Sequence, residues 1–139
     1  MKEHTIEVDY LDGMAFETEV DGHKIILDAE EAVGGKDRGP SPKPLVLVSL
    51  LGCTSMDVVS LMKKMRVNFD DFKVTAKGVL ADEHPKYYTN IHLEYHVWGK
   101  DVDHAKVEKC VALSTERYCG VHFMLSKSSE MSHEIIYHK

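Results

Sequence analysis

Cationic residues are in short supply in this sequence. Lys and Arg number 17 against 23 Asp and Glu, a formal net charge of −6 over 139 residues. A nucleic-acid surface needs a basic patch, so that class of partner is not expected. The nine His residues carry partial charge near neutral pH and change this little. No apolar run follows Met1-Lys2-Glu3-His4, so no secretory leader is read there. Cys occurs three times, with no CxxC pair and no zinc-ribbon spacing. Free thiols in a reducing, cytoplasmic compartment are expected, and any disulfide would be transient rather than structural. Phosphate-loop, GxSxG, HExxH and dinucleotide signatures are all missing.

Long hydrophobic runs are limited to one, Pro44 to Met62, which carries Asp57 near its middle. A carboxylate in hydrocarbon costs about 3 kcal/mol on insertion scales. A buried helix of a soluble core fits better than a membrane span, and no membrane partner is expected. With 43% apolar and 29% charged residues, the composition is that of an ordinary globular protein. The length suits a single domain, residues 1–139.

Residues 4–10 and 14–20 alternate polar and apolar, with Asp12-Gly13 between them and Asp21-Gly22 after them. Both dipeptides are hairpin signals, and a third strand is expected at 23–28. A Gly/Pro-rich loop over 31–44 ends in Ser41-Pro42, which suits an N-cap followed by Pro at the first helical position. A long helix should run from Leu45 to about Arg66. Strands are expected at 72–80 and 88–98. In the latter, Ile91, Leu93, Tyr95 and Val97 share one face, and His92, Glu94, His96 and Trp98 share the other. A helix from about Asp103 to Tyr118, with Gly120 as its C-terminal cap, a short helix within 121–129 and a strand at 131–138 complete an α+β order, βββ-α-ββ-α(α)-β. The long helix has no clear polar face in its first half, so it must be covered on every side. A second copy of the chain is the simplest cover, and a homodimer is expected.

Two segments carry chemistry: Cys53 within Leu50–Val59, and Cys119 within Arg117-Tyr118-Cys119-Gly120-Val121. A thiol attacks an O–O bond as thiolate, so it needs a lowered pKa and access. A second thiol that condenses with the sulfenic acid returns it without overoxidation. Spacing alone does not separate such a pair from two core thiols, because free Cys is among the most buried residue types.

Gly39-Pro40-Ser41-Pro42, Leu45 and Gly52-Cys53-Thr54-Ser55-Met56-Asp57-Val58-Val59, together with Ala112-Leu113-Ser114, Tyr118-Cys119-Gly120-Val121 and Leu125, resemble the two hallmark segments of the OsmC/Ohr family. The element order resembles it over essentially the whole chain. The resemblance implies an intertwined α+β homodimer, an OsmC-like fold with central helices wrapped by sheets and sites at the subunit interface. It implies Cys53 as peroxidatic thiol and Cys119 as resolving thiol. It also implies reduction of small organic hydroperoxides, reset by an external dithiol such as a lipoyl protein, and no metal or organic cofactor.

Two departures stand out. Peroxidase members carry a Glu after the (N/S)P pair, where this chain has Lys43-Pro44, and an Arg in the first hairpin, where it has Leu11–Ala15. Arg38 or Lys43 is the candidate replacement cation for stabilising the Cys53 thiolate. Asp57, one turn past Cys53, shares its helix face, and a carboxylate there raises a thiol pKa. It is read as a buried acceptor or a partner for a basic residue rather than a base. Met56, Met124 and Asp57 are the candidate pocket lining. Cys110 is read as a core residue. His92, Glu94 and His96 have the spacing of metal ligands, but a flat row lacks a converging third element, so no metal is expected. The alternative function is a non-enzymatic member that binds a small apolar ligand or senses redox state at the dimer interface. A third is an assembly module with inert thiols.

Overall fold

The computed structural model describes residues 1–139. Its chain divides into two compact units, Met1–Val46 and Leu47–Lys139. The element order is that read from the sequence.

The first unit is an antiparallel meander of β1 (Val8–Asp12), β2 (Ala15–Val20) and β3 (His23–Leu27). Asp21 and Gly22 both have positive φ, 51° and 80°. This is the backbone of a two-residue turn whose twist matches the strands it joins. After β3 the loop folds around the buried Asp28 carboxylate, which accepts from the backbone N–H of Ala29 (2.7 Å) and of Arg38 (3.2 Å). Gly35 and Gly39 press against the backbone of Ala29 and Ile26, so closely that neither has room for a Cβ.

The second unit opens with most of α1 (Pro44–Lys64) and continues through β4 (Asp71–Leu80), β5 (Tyr88–Trp98), α2 (His104–Leu113), α3 (Gly120–Ser126) and β6 (Glu130–His138). β5 is the centre of a three-stranded sheet, antiparallel to β4 and parallel to β6. Ile91, Leu93, Tyr95 and Val97 are buried as the alternation requires, and cluster with Leu50, Val58 and Met62 of α1 and Val107, Cys110 and Val111 of α2.

Four boundaries differ from the sequence reading. Ser41-Pro42 does not open the helix. Leu45 N–H bonds Pro42 O and Val46 N–H bonds Lys43 O in a tighter turn, and α1 starts at Pro44. At its far end α1 stops at Lys64, with Arg66 in the left-handed region (φ 57°). Arg66 N–H bonds Lys63 O, and Val67 N–H bonds Met62 O. This is a Schellman closure with Arg where Gly is usual, sealed by apolar Met62 and Val67. The expected helix to Tyr118 stops at Leu113, and Ser114–Tyr118 form a turn of π-helix. Gly120 does not cap it: Cys119 is extended, and Gly120 is the first residue of α3.

α1 is long and apolar enough to cross a membrane by length and composition. Its buried side, however, is Leu50, Thr54, Val58 and Met62, packed into the core of the second unit, which makes it a core helix. Val46, Val48 and Met56 remain exposed on it.

Candidate functional site

α1 and the π turn meet at the two cysteines. The sulfurs of Cys53 and Cys119 and a carboxylate oxygen of Asp57 all lie within 4.8 Å of one another. Asp57 comes to this group because it is one turn beyond Cys53 on α1. Cys119 comes because the π turn widens the end of α2. Cys119 N–H bonds Ser114 O at 2.8 Å, five residues back. Thr115 bonds its hydroxyl back to Val111 O and Ala112 O, a local competitor of regular helix.

Ser114 is drawn inward by a buried chain of hydroxyls. Tyr95 OH lies 2.6 Å from Thr54 Oγ1, which lies 2.9 Å from Ser114 Oγ, and Ser114 donates to Asp57 Oδ2 at 3.2 Å. A hydroxyl has one proton to give and Ser114 gives its own to Asp57, so the chain has one direction: Tyr95 donates to Thr54, Thr54 to Ser114, and Ser114 to Asp57. No buried side-chain polar atom in the protein lacks a partner. Burial pushes the Tyr95 phenol up to about 12, against the lowering effect of the Thr54 hydrogen bond, so Tyr95 stays a neutral donor.

The two thiols differ. Cys53 is half-buried, and Cys119 is only 2% exposed. Burial, followed by the neighbouring Cys53 thiol, pushes Cys119 up to about 12; the His122 N–H, 3.3 Å from its sulfur, works the other way. Cys119 is therefore a neutral thiol at pH 7, and it caps α3 as a Ser or Asp side chain would. Cys110 is fully buried beside Met65, and burial raises its pKa as well.

Arg38, a candidate cation, is engaged within the first unit. Its Nε donates to Asp28 (3.1 Å) and its terminal nitrogens to Asp12 (2.7 and 3.1 Å). The hydrogen bonds it donates to Asp12 and then to Asp28 raise its pKa beyond the ordinary guanidinium value. Lys43 is exposed just ahead of α1. Of the pocket candidates, Asp57 lines a hollow of about 340 Å³ with Ser60, Leu61, Lys64 and Tyr118. Met56, 76% exposed, lines a separate open depression with Ser55, Val59, Ser60 and Lys63. Met124, on α3 and 63% exposed, lines neither.

Thr54 and Ser114 stand inside the segments that carry the family resemblance without being expected site residues, and neither Tyr95, Tyr118 nor Lys64 is an expected one. A hydroxyl at a core position of an apolar helix was the one available signal for Thr54.

Residues 34–134 match the model of the OsmC-like protein family. The protein YhfA of Escherichia coli K12 is 35% identical over 127 residues, covering 91% of this chain and 92% of that one. A protein of known structure from Aquifex aeolicus VF5 superposes with a TM-score of 0.83 at 30% identity, covering both chains completely. An organic hydroperoxide resistance protein OsmC from Legionella pneumophila superposes with a TM-score of 0.68 over 98% of this chain and 99% of that one; at 14% identity the likeness is one of fold. With the family model spanning both cysteine segments, the chain belongs to the OsmC-like protein family.

Proposed function

We propose that this protein is a thiol peroxidase for small organic hydroperoxides, working through a Cys53/Cys119 dithiol-disulfide cycle. The observation that carries this reading is the asymmetric thiol pair: two sulfurs within 4.8 Å, one reachable, the other buried and held neutral. Cys53, as thiolate, attacks the outer peroxide oxygen. The O–O bond breaks, Cys53 keeps the outer OH as a sulfenic acid, and the departing alkoxide takes a proton from solvent to leave as the alcohol. The Cys119 sulfur then displaces that oxygen as water, forming a disulfide of about 2.05 Å after side-chain rotation. An external dithiol, such as a lipoyl group, reduces the disulfide and resets the pair.

The reading takes residues 1–139 as one functional domain, a homodimer in the cytoplasm. Support for the second copy is the apolar surface left open on α1 and α3, with Val46, Val48, Met56, Phe123 and Met124 exposed. No resident metal or organic cofactor enters the cycle.

One observation favours a second reading, a redox sensor or binder of a small apolar ligand. The charged group beside the thiols is a carboxylate, and no ion pair reaches Asp57. Arg38 has its charge matched by two other acids.

The test is intact mass and free-thiol count before and after one equivalent of cumene hydroperoxide, on wild type and Cys119→Ser. Peroxidase chemistry predicts loss of two thiols in wild type and a trapped sulfenic acid in the variant. Thiols unchanged over an hour would overturn it in favour of the sensor or binder.

A further inference from the structure

The outer face of β5 holds a group that a row of alternating residues does not reveal. Parallel pairing places Glu134 of β6 directly beside Glu94, and Ser132 beside His92. One ligand atom each from His92, Glu94 and Glu134 lies within 4.8 Å of the others, and His92 Nε2 is 3.7 Å from Glu134 Oε1. The third element that residues 92, 94 and 96 lack on their own strand is therefore supplied by the neighbouring strand.

Three further details point to a cation. His92 Nδ1 is 2.8 Å from Ser132 Oγ. With the hydroxyl accepting from Nδ1–H, the lone pair sits on Nε2, the nitrogen that faces Glu134. A ring fixed through its far nitrogen is the usual support of a metal-binding imidazole. Thr75 donates to Glu94 Oε1 at 3.2 Å from β4, orienting that carboxylate in turn. Finally, two carboxylates directly opposite each other repel, and a cation bound between them relieves that repulsion.

His96 Nε2 lies 3.8 Å from Glu94 Oε1 but falls outside the three-ligand group; its Nδ1 is 2.9 Å from His138 Nε2, and its ring stacks with Trp98 and His138.

We propose that His92, Glu94 and Glu134 bind a divalent transition metal ion, with Zn²⁺ as the fitting case, clamping β5 to β6. One imidazole and two carboxylates suit zinc, whereas the imidazole disfavours Mg²⁺ and Ca²⁺. At about 2.0–2.2 Å per bond, tetrahedral ligand atoms stand roughly 3.4 Å apart. The observed 3.7 Å between His92 and Glu134 needs only a small side-chain adjustment. The site is distinct from the cysteine group and does not depend on the peroxidase reading.

The test uses Co²⁺ absorption and Zn²⁺-dependent melting on the full chain, comparing wild type with Cys53→Ser, His92→Ala, Glu134→Gln and Ser132→Ala. The expected result is one Co²⁺ per chain with no thiolate charge-transfer band, binding kept in Cys53→Ser and lost in His92→Ala. Glu134→Gln keeps the shape of an exposed side chain, so its loss of binding cannot be laid to misfolding. Ser132→Ala should bind roughly tenfold more weakly. Zn²⁺ should raise the melting temperature of wild type and not of Glu134→Gln. No Co²⁺ bound, a thiolate band that disappears with Cys53, or equal binding by His92→Ala and Glu134→Gln would each overturn the proposal.

Discussion

Asp28 in the first unit and Asp57 in the second are carboxylates treated in opposite ways. In the first unit Asp28 is met by backbone N–H groups and by the Arg38 guanidinium, which also binds Asp12. Burial works to raise its pKa, and those hydrogen bonds outweigh it, so the carboxyl sits below its usual range. In the second unit Asp57 receives a Ser114 hydroxyl and faces two thiols, with no ion pair. A compensated carboxylate holds a loop still. One without an ion pair adds to the burial that works against forming a thiolate at Cys119.

Loss of the reactive thiol is the largest expected effect. Cys53→Ser should abolish hydroperoxide consumption, whereas Cys119→Ser should retain one turnover and stop at the sulfenic acid, as read by substrate loss and mass. Thr54→Val keeps the shape of the side chain but strands the Tyr95 donor and removes the donor to Ser114. It should lower stability by about 1–3 kcal/mol, measured by denaturant midpoint. Gly39→Ala forces a Cβ into the Ile26 carbonyl and should cost a similar amount, about 1–3 kcal/mol, with the loss of protection in hydrogen exchange centred on the first unit.

Acid should act on the first unit through Asp12 and Asp28. Asp12 and Asp28 have folded pKa values below their unfolded ones, Asp12 chiefly through the Arg38 hydrogen bond. Their contribution is present above about pH 4, the unfolded carboxylate value, and is lost as pH falls through the lower folded value. The first unit should therefore lose exchange protection as pH drops from about 4, and Asp28→Asn should flatten that dependence. The smallest expected effect is the sharpest test of the contrast. Asp57→Asn should speed alkylation of the Cys119 thiol at neutral pH, because the carboxylate is one of the groups that hold that thiol's pKa up. If Asp57→Asn slowed alkylation, the carboxylate would be acting as a base and the contrast would fail.

The legible parts of this chain were those with local causes. The Asp-Gly turns and the alternation along β5 follow from neighbouring residues, and Cys53 and Cys119 stood out through the segments around them. What was not legible depends on distant partners. Ser114 ends a regular helix because Thr54, 60 residues away, and Asp57 engage its hydroxyl. Tyr95 looked like one more apolar residue of a buried face until Thr54 lay against it, 41 residues away. Arg66 closes a helix where a Gly would have announced the end. Glu134 meets His92 only because β6 runs parallel to β5, a register that no local pattern encodes.

The central claim is that Cys53 and Cys119 form one redox pair. Disulfide mapping by peptide mass after a stoichiometric pulse of cumene hydroperoxide, with Cys110 as internal control, tests it most directly. The account predicts a Cys53–Cys119 crosslink that a dithiol reverses, with Cys110 still a free thiol. A crosslink through Cys110, or Cys53 oxidised to sulfinic acid with Cys119 untouched, would contradict it.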